Sequence, residues 1–381
     1  MGFFTGEGIA IDLGSANTTI YLENEGIVLR EPTSVLTLLD DPAAVLAVGG
    51  DAYAMSGRGG EQTLLQFPVM DGAVTDADLA ALLMIALAEK ATGRRKPMEK
   101  AQLLVSMSQG LTKVEREALL QAIRITGAKR SVAVKTPLAA ALGAGLTVDQ
   151  PRGSMVVVLG GGVTEIAVLS MNAIVAARSM RTGLLSMDEA IVRYMRRKKG
   201  VIIGLSTAED LKCDIGSAAL PEQDEDLDDL LEADLPEEDK PQREGEGQDG
   251  PNSQEEAVPQ GEKALLKGRD VKTGKPTTVT VTTRDIALAL REPVRLLLDA
   301  VKDALGRMPK ELAGDILEAG ITLSGGGALL RGLAPLLAER AGLPVSVGEH
   351  PHEDVILGLG MLAGDEKLLR GALQAGSAQE Q

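Results

Sequence analysis

The sequence of 381 residues is short of several residue types on which particular functions depend. Its single cysteine, Cys213, excludes a disulfide within one chain and fits a reducing compartment. No Trp, three Tyr and three Phe are present, too few aromatic rings for stacking on single-stranded nucleic acid. No apolar run approaches the roughly 18 residues of a membrane span, and MGFFTGEG lacks the features of a secretory signal. We therefore expect a cytoplasmic protein without a nucleic-acid partner.

The negative charge is concentrated in one segment. The formal net charge is −16, and residues 222–262 hold 17 Asp and Glu against Lys240 and Arg243. This segment is rich in Pro, Gly and Gln and poor in apolar residues, so it cannot bury enough surface to offset the entropy of ordering. We predict a disordered acidic insertion. Two interpretations of it stay open, a solvated spacer and a docking segment for a basic partner.

Outside this segment, strand and helix patterns alternate in two halves. DADLAALLMIALAEKATG and LTKVEREALLQAIRITGAK are typical of helices that end near glycine. TPLAAALGAGL predicts a short helix with Thr136 as N-cap and Pro137 at the first helical position. A longer helical stretch is predicted to be interrupted or to restart at Pro293. This order indicates two α/β domains with a cleft between them.

Two glycine loops repeat at an offset of 146 residues. IAIDLGSANTTIYL at 9–22 aligns without gaps with MVVVLGGGVTEIAV at 155–168. Each is a strand, a glycine turn and a second strand, and glycine turns let backbone N–H groups approach a phosphate. Asp12 of the first loop falls on Val158 of the second. The pattern therefore predicts two similar halves that share a phosphate site, with a carboxylate on one side only.

These motifs carry a family resemblance that runs from Gly8 to about Gly364. Together with DGAVTD, DEAIVRYMRR, STAEDLKCDIGSA and ITLSGGGALLRGL, they resemble the MreB and Mbl bacterial actin homologues within the actin-like ATPase superfamily. The resemblance implies an actin-like α/β fold with two RNase H-like domains around a nucleotide cleft. Domain I would comprise residues 1–151 with a return at about 347–381, and domain II residues 152–346, interrupted by the disordered insertion at 222–262.

The resemblance also implies a site for ATP and Mg²⁺. Asp12 would face the metal. The residues that match the family's nucleotide motifs are Ser15, Ala16, Asn17 and Thr18 in the first phosphate loop, Gly160, Gly161 and Gly162 in the second, Glu209, Asp210, Leu211 and Lys212 beside the ribose and base, and Gly325, Gly326, Gly327 and Ala328 on the opposite wall.

The chain departs from the family pattern around the γ-phosphate. The family typically reads VDIGGGTTE where this chain reads VVLGGGVTE, so Val158 replaces an acid. It typically has Glu-Glu-Pro where this chain has Lys135, Thr136 and Pro137, so the glutamate that orients the attacking water is absent. A typical Gly-Asp pair is replaced by two leucines at 184–185. We predict nucleotide binding with weak or absent hydrolysis, because losing one positioned acid–base group commonly lowers the rate by about 10² to 10⁴.

The resemblance implies a role in membrane-associated filaments that govern cell shape and wall synthesis. Its partners would be further copies of the chain, the inner face of the cytoplasmic membrane and the cell-wall elongation machinery. The loop GRRKPMEK, with Met98 as its apolar residue, is a candidate membrane contact, as are Phe3 and Phe4; the alternative is a plain solvated loop. The alternative is a non-polymerising pseudo-ATPase adaptor that docks through the acidic insertion.

Overall fold

The computed structural model describes residues 8–41, 43–55, 62–218 and 261–377. The strands are β1 (Gly8–Leu13), β2 (Asn17–Leu22), β3 (Gly26–Pro32), β4 (Val35–Leu38), β5 (Val45–Val48), β6 (Thr63–Gln66), β7 (Val69–Met70), β8 (Ala73–Val74), β9 (Gln102–Met107), β10 (Arg130–Lys135), β11 (Ser154–Leu159), β12 (Thr164–Ser170), β13 (Ala173–Met180), β14 (Val201–Ile202), β15 (Lys263–Asp270), β16 (Pro276–Thr282), β17 (Ile321–Ser324) and β18 (Val345–Val347).

The helices surround these strands. They are α1 (Gly49–Met55), α2 (Ala77–Thr92), α3 (Lys113–Ile125), α4 (Thr136–Gly143), α5 (Leu184–Tyr194), α6 (Leu205–Ile215), α7 (Thr283–Arg307), α8 (Ala313–Ala319), α9 (Leu333–Ala341), α10 (Asp354–Gly364) and α11 (Glu366–Ser377). None of the helices in the described ranges is long and apolar enough to cross a membrane.

The two halves are built on sheets of the same topology. One sheet has the order β10-β9-β1-β2-β3 and the other β18-β17-β11-β12-β13. In each, the central strand pairs antiparallel with the strand that follows it and parallel with a strand from later in the half. The repeat predicted from the glycine loops is therefore present in the fold. The predicted domain boundaries stay a prediction.

Three cores account for the apolar runs. Alternate residues of β11 pack on opposite sides, with Val157 in the core of its own half and Val156 and Val158 in a core shared between the sheets. Burial on both faces explains why this strand shows no polar alternation. Helices α4 and α10 fill the shared core, where Gly143 packs so closely that an added Cβ would lie 1.8 Å from the Asp354 carbonyl oxygen.

The prediction that α2 ends near a glycine is confirmed, and side-chain caps define where α2 and α3 begin. Asp76 caps α2 by accepting a hydrogen bond from the Leu79 amide at 2.9 Å, and Gly93 closes that helix with φ 64°. Thr112 and Glu115 form a capping box at the start of α3. The helical patterns therefore begin and end where local hydrogen bonding allows.

Three local predictions are wrong. Thr136 is the first residue of α4 rather than its N-cap, which is Lys135 and makes no side-chain cap. Pro293 lies within a continuous α7, where it is buried. Met98 is only 1% exposed and packs in the core of the first half, so the exposed part of its loop is basic. Tertiary packing decides the last two cases.

The predicted acidic insertion lies outside the described residues, except for Gly261 and Glu262 at its end. Phe3 and Phe4 also lie outside them. Gly261 has φ 65° and Glu262 exchanges hydrogen bonds with Thr283, so these two residues lead directly into the β15 hairpin and α7.

Candidate functional site

A cavity of about 620 Å³ opens between the two large sheets at the ends of their central strands. Both halves of the chain contribute to its wall. Among the predicted site residues, those that line it are Asp12, Ser15, Ala16, Asn17, Thr136, Val158, Gly160, Gly161, Gly162, Glu209, Lys212, Gly325 and Gly326. Residues up to 314 positions apart in the sequence therefore meet in one place.

The first loop joins β1 to β2 and is held from below by hydroxyl groups. The Gly14 amide donates to the Asn17 carbonyl at 3.1 Å, which closes the turn. The Ser15 Oγ is buried and accepts from the Gly72 amide at 2.9 Å. Thr18 lies beneath the loop, fully buried, with its hydroxyl 2.8 Å from that of Thr33, and does not line the cavity.

The second loop joins β11 to β12 and repeats the turn of the first. The Gly160 amide donates to the Val163 carbonyl at 2.9 Å, at the predicted offset from the Gly14 bond. The carbonyls of Gly160 and Gly161 accept hydrogen bonds from the Leu184 and Leu185 amides at 3.0 and 2.8 Å. The start of α5 therefore supports this loop through backbone groups, which the leucines supply as well as polar residues would.

The first and second loops contact each other where they form the wall of the cavity. A Cβ on Gly161 would lie 2.7 Å from the Ala16 Cβ, and one on Gly162 would lie 2.6 Å from the Ser15 Oγ. Such approach distances are open only to glycine. The glycines of the second loop thus let the backbones of both halves converge, and their amide groups form a concave wall of the kind that binds phosphate.

The third loop follows β17, which lies beside β11 in the sheet of the second half. Gly325 has φ 82°, and a Cβ there would lie 2.4 Å from the Leu159 carbonyl oxygen. Gly326 begins a short 3₁₀ turn that ends at Leu329. Gly327 and Ala328 lie in this turn but are buried and do not line the cavity. Only the first half of the predicted motif therefore reaches the site.

Glu209 and Lys212 of α6 were both predicted to contact the nucleotide, but Lys212 forms a buried ion pair with a residue of α5. The Lys212 Nζ lies 2.6 Å from the Asp188 Oδ1, and both side chains are buried. Burial raises the pKa of Asp188 to about 6, although the Lys212 charge opposes this. Glu209 is exposed at the cavity edge. The predicted residues between them do not reach the cavity, since Asp210 is exposed elsewhere and Leu211 packs in the core.

Val158 stands where the first loop has a carboxylate, and the residue directly opposite it in the hairpin is an acid, Glu165. Val158 pairs with Glu165 in the register of β11 and β12, just as Asp12 pairs with Thr19 in β1 and β2. Side chains directly opposite each other in an antiparallel pair share one face of the sheet. The second hairpin therefore carries its acid on the other strand.

Glu165 bridges the two halves of the molecule. It is 1% exposed, and its Oε1 accepts hydrogen bonds from the Ser108 hydroxyl at 3.0 Å and from the Gln109 amide at 2.5 Å. Its Oε2 is buried without a hydrogen-bond partner in the described structure. Burial raises the pKa of Glu165 to about 7, against these hydrogen bonds and the Lys135 charge. Burial also raises the pKa of Asp12, which Ser106 and Arg30 oppose.

Protonation of Glu165 is expected to make stability depend on pH. Its folded pKa of about 7 lies above the ordinary value of 4.5, so the folded state retains a proton that the unfolded chain loses. Its contribution to stability is present below pH 4.5 and is lost as pH rises through 7. Wild type should lose on the order of 3 kcal/mol over this window relative to Glu165→Gln. Denaturant unfolding without nucleotide at several pH values measures this difference.

The exposed Glu25 provides the matched control, since Glu25→Gln removes a carboxylate that no hydrogen bond in the described structure engages. Its stability profile should run parallel to wild type. Parallel profiles for all three proteins would show that Glu165 is already ionised throughout the window.

Two of the residues that shape this site carry little signal in the sequence. Glu165 was visible in the second loop but its burial against Ser108 was not, because those residues are 57 positions apart. Asp188 stood in the DEAIVRYMRR motif without an assigned role. Its signal was a single acid at the cleft end of a helix, which gives no indication of a partner 24 positions away.

The residues present fit a nucleotide. Three backbone glycine turns converge where side chains could not, and the cavity of about 620 Å³ falls in the range typical of small-molecule sites. No group of three or more His, Cys, Asp or Glu suited to a metal occurs in the described part of the chain. Mg²⁺ would therefore depend on Asp12 and on phosphate oxygens, a common arrangement for this ion.

Comparison with known proteins agrees with this geometry. A sequence model of the MreB/Mbl protein family matches residues 6–230 and 252–370, so the break lies within the acidic segment. The cell shape-determining protein MreB of Escherichia coli is 36% identical over 92% of this chain and 91% of its own length. The cell shape-determining protein Mbl of Bacillus subtilis is 34% identical over 93% of this chain and 95% of its own length.

Solved structures give the same result for the fold. MreB5 of Spiroplasma citri bound to AMPPNP superposes with a TM-score of 0.80 at 27% identity, covering 98% of this chain and 99% of that one. The MamK double helical filament superposes with a TM-score of 0.70 at 16% identity, over 94% of this chain and 99% of that one. The predicted actin-like fold of two α/β domains is thereby confirmed, and the chain belongs to the MreB/Mbl family of actin-like proteins.

Proposed function

We propose that this protein is a nucleotide-binding cytoskeletal filament protein that acts in cell shape and hydrolyses ATP slowly. The observation that carries the proposal is the pair of glycine loops that converge on one cavity, with Asp12 on one loop and Val158 at the matching place on the other. The cell-shape role is supported by family membership and by the names of the E. coli and B. subtilis relatives.

Each wall of the cavity has a separate task in this proposal. Backbone amides at 15–17 and 160–162 would hold the phosphates, and the turn at Gly325 would approach the nucleotide from beside the second loop. Glu209 lies exposed where it could meet the ribose, whereas Lys212 is committed to Asp188 and would act by fixing α5 and α6. Magnesium would supply positive charge beside Asp12. MreB5 of S. citri, solved with AMPPNP and with ADP, supports a nucleotide in this cleft.

Self-assembly and membrane attachment complete the proposal. The MamK filament shares the fold, and it supports assembly of further copies of the chain. At the membrane, the exposed basic tip Arg94, Arg95 and Lys96 would meet anionic lipid headgroups by charge alone, because Met98 is buried beneath them. Contact with the wall elongation machinery is part of the same proposal, and the family membership supports it.

Calorimetry tests the nucleotide. Titration of the purified protein with ATP should release heat, and Mg²⁺ should tighten the binding. Asp12→Ala should abolish the effect of Mg²⁺, because it removes the one carboxylate on the first loop that lines the cavity. Asp149→Ala removes an exposed acid of the same kind and should leave binding unchanged. Wild type that binds no adenine nucleotide would refute the nucleotide part of the proposal.

Sedimentation separates the filament from the alternative. The protein should pellet at high speed with ATP and Mg²⁺ and remain in the supernatant without nucleotide. The competing function is a non-polymerising adaptor that keeps the cleft as a scaffold. Protein that binds ATP yet never pellets, at any salt or protein concentration tested, would favour that adaptor.

A further inference from the structure

One face of the small sheet β14-β15-β16 is basic and carries no acid. On β15 the exposed residues alternate with less exposed ones, so Lys263, Leu265, Lys267 and Arg269 share the outward face. On β14, Ile202 pairs with Arg269 in the register and therefore lies on the same face. Leu265 is 76% exposed and Ile202 is 43% exposed. The face thus has two apolar side chains set among cations.

The basic character continues into the hairpin turn. Lys272 and Lys275 are exposed there, between β15 and β16. The outward residues of β16 are Pro276, Thr278 and Thr280, all uncharged. We call Lys263, Leu265, Lys267, Arg269, Lys272, Lys275 and Ile202 the basic face.

Three acids close in sequence to β15 and β16 are already engaged. Asp270 points to the other side of β15 and accepts hydrogen bonds from its own turn. Asp285 lies 2.9 Å from Lys199, and Glu262 lies 2.8 Å from Arg331. Among the described residues, the basic face therefore has no ion pair on its outward side.

The described chain on either side of residues 219–260, which include most of the acidic segment, lies beside this sheet. At its start, the Ala218 amide donates to the Arg331 carbonyl at 2.8 Å. At its end, Glu262 pairs with the Arg331 guanidinium, and the next residue is Lys263 of the basic face. Arg331 therefore contacts the chain at both ends of the segment. The 42 intervening residues can span far more than the length of an eight-residue strand.

We propose that the acidic segment of the same chain binds the basic face. Residues 222–239 contain most of its carboxylates and four leucines, at 227, 230, 231 and 235. This composition complements cations that flank Leu265 and Ile202. The sheet belongs to the part of the chain that the family match covers, whereas the match breaks within the segment at 231–251. Residues 231–239, with five carboxylates of this stretch, thus lie outside the family match.

Each ion pair between the acidic segment and the basic face is expected to be weak, and attachment of the segment at both ends favours their formation. An exposed ion pair contributes little stability by itself. Attachment at both ends gives the segment an effective concentration on the order of millimolar at the basic face. Because the charges are exposed, the interaction should disappear in roughly 1 M salt, where the screening length falls to about 3 Å. Bound in this way, the segment shields the basic face from other anions.

Carbodiimide cross-linking of the full-length protein tests the proposal, since the reagent joins lysine amines to carboxylates in contact. Lys267 and Lys272 should couple to carboxylates in 222–239 about tenfold more often than the exposed Lys302 and Lys310 of the same half. High salt should remove the difference. Equal coupling at all four lysines would overturn the proposal, because it would show that the segment meets every nearby lysine at random.

Isotope labelling shows whether the segment that binds the basic face belongs to the same chain or to another copy. In a mixture of labelled and unlabelled protein, the cross-links should join peptides of one chain. Links between chains would overturn the proposal and assign the basic face to a contact between copies. Binding of phosphatidylserine vesicles at the basic face, without cross-links to the segment, would overturn it in favour of a lipid surface.

A charge-reversal variant supplies a readout that does not depend on reactive lysines. Lys267→Glu, Arg269→Glu and Lys272→Glu together should speed the modification of segment carboxylates by carbodiimide and glycine ethyl ester to the rate of a free peptide of the same sequence. Lys302→Glu with Lys310→Glu should leave the rate unchanged. All of these side chains are exposed, so the fold should tolerate the changes. Identical rates in wild type and the triple variant would contradict the proposal.

Discussion

The purified protein is expected to release phosphate from ATP about 10² to 10⁴ times more slowly than E. coli MreB measured beside it. In phosphoryl transfer the protein contributes mainly positioning and electrostatic stabilisation, so a missing acid lowers the rate directly. Val158 lies where the repeat predicts a metal-facing acid, and it is buried in the core shared between the sheets. Thr136 lines the cavity where the family has the glutamate that orients water. Filaments should therefore persist in ATP.

Restoring both acids should raise turnover. Val158→Asp with Thr136→Glu places carboxylates on the two walls that lack them, and we expect a gain of at least about tenfold in phosphate release. Val158→Asn with Thr136→Gln has nearly the same shapes without the charges and should give no gain. The melting temperature of each protein shows whether a polar group at position 158 is accommodated in the shared core.

The ATP turnover of the wild type shows whether another acid in the cleft has replaced the carboxylates missing at positions 158 and 136. Turnover equal to that of E. coli MreB would show that the missing groups have been replaced within the cleft. Glu165 would then be the candidate, because it faces the same layer as Val158 and holds an oxygen without a hydrogen-bond partner. Glu165→Gln should abolish turnover in that case. In the slow wild type that we expect, the same substitution should change turnover little.

The sequence predicts the parts of this fold that depend on short spacings. The glycine turns, the end of α2 at a glycine and the repeat at an offset of 146 residues all rest on local patterns. The repeat was sufficient to predict two similar halves, and the two sheets have the same strand order. Local hydrogen bonds determine these features, so they can be read without knowledge of the packing.

The parts that the sequence could not predict depend on distant contacts. Met98 looked like an exposed loop residue, but it fills the core under its loop. Lys212 looked like a ligand for the nucleotide, yet its ammonium lies against Asp188. Pro293 should have broken a helix by local rules, and packing of α7 against its sheet overrides them. In each case the partner lies on another element, and only the fold brings the two together.

Gly161→Ala is expected to weaken nucleotide binding about tenfold to a hundredfold. The added Cβ would lie 2.7 Å from the Ala16 Cβ and 3.2 Å from its amide nitrogen, so one phosphate loop must move away from the other. Overpacking of this kind commonly costs about 1–3 kcal/mol. Because the strain separates the walls that hold the phosphates, the loss should be larger for ATP than for adenosine. Calorimetry with both ligands measures the difference.

Ala16→Gly tests whether the contact between the loops causes the loss, because it removes the Cβ atom that the new methyl group would contact. In the double variant Gly161→Ala with Ala16→Gly, much of the lost affinity should return, which is a coupling that independent sites do not show. Gly314→Ala adds a methyl group where no atom lies within 4 Å and should leave binding unchanged. If the double variant binds no better than Gly161→Ala alone, the contact between the loops does not set the affinity. The remaining clash with the Ala16 backbone, or a ligand held elsewhere in the cavity, would then govern it.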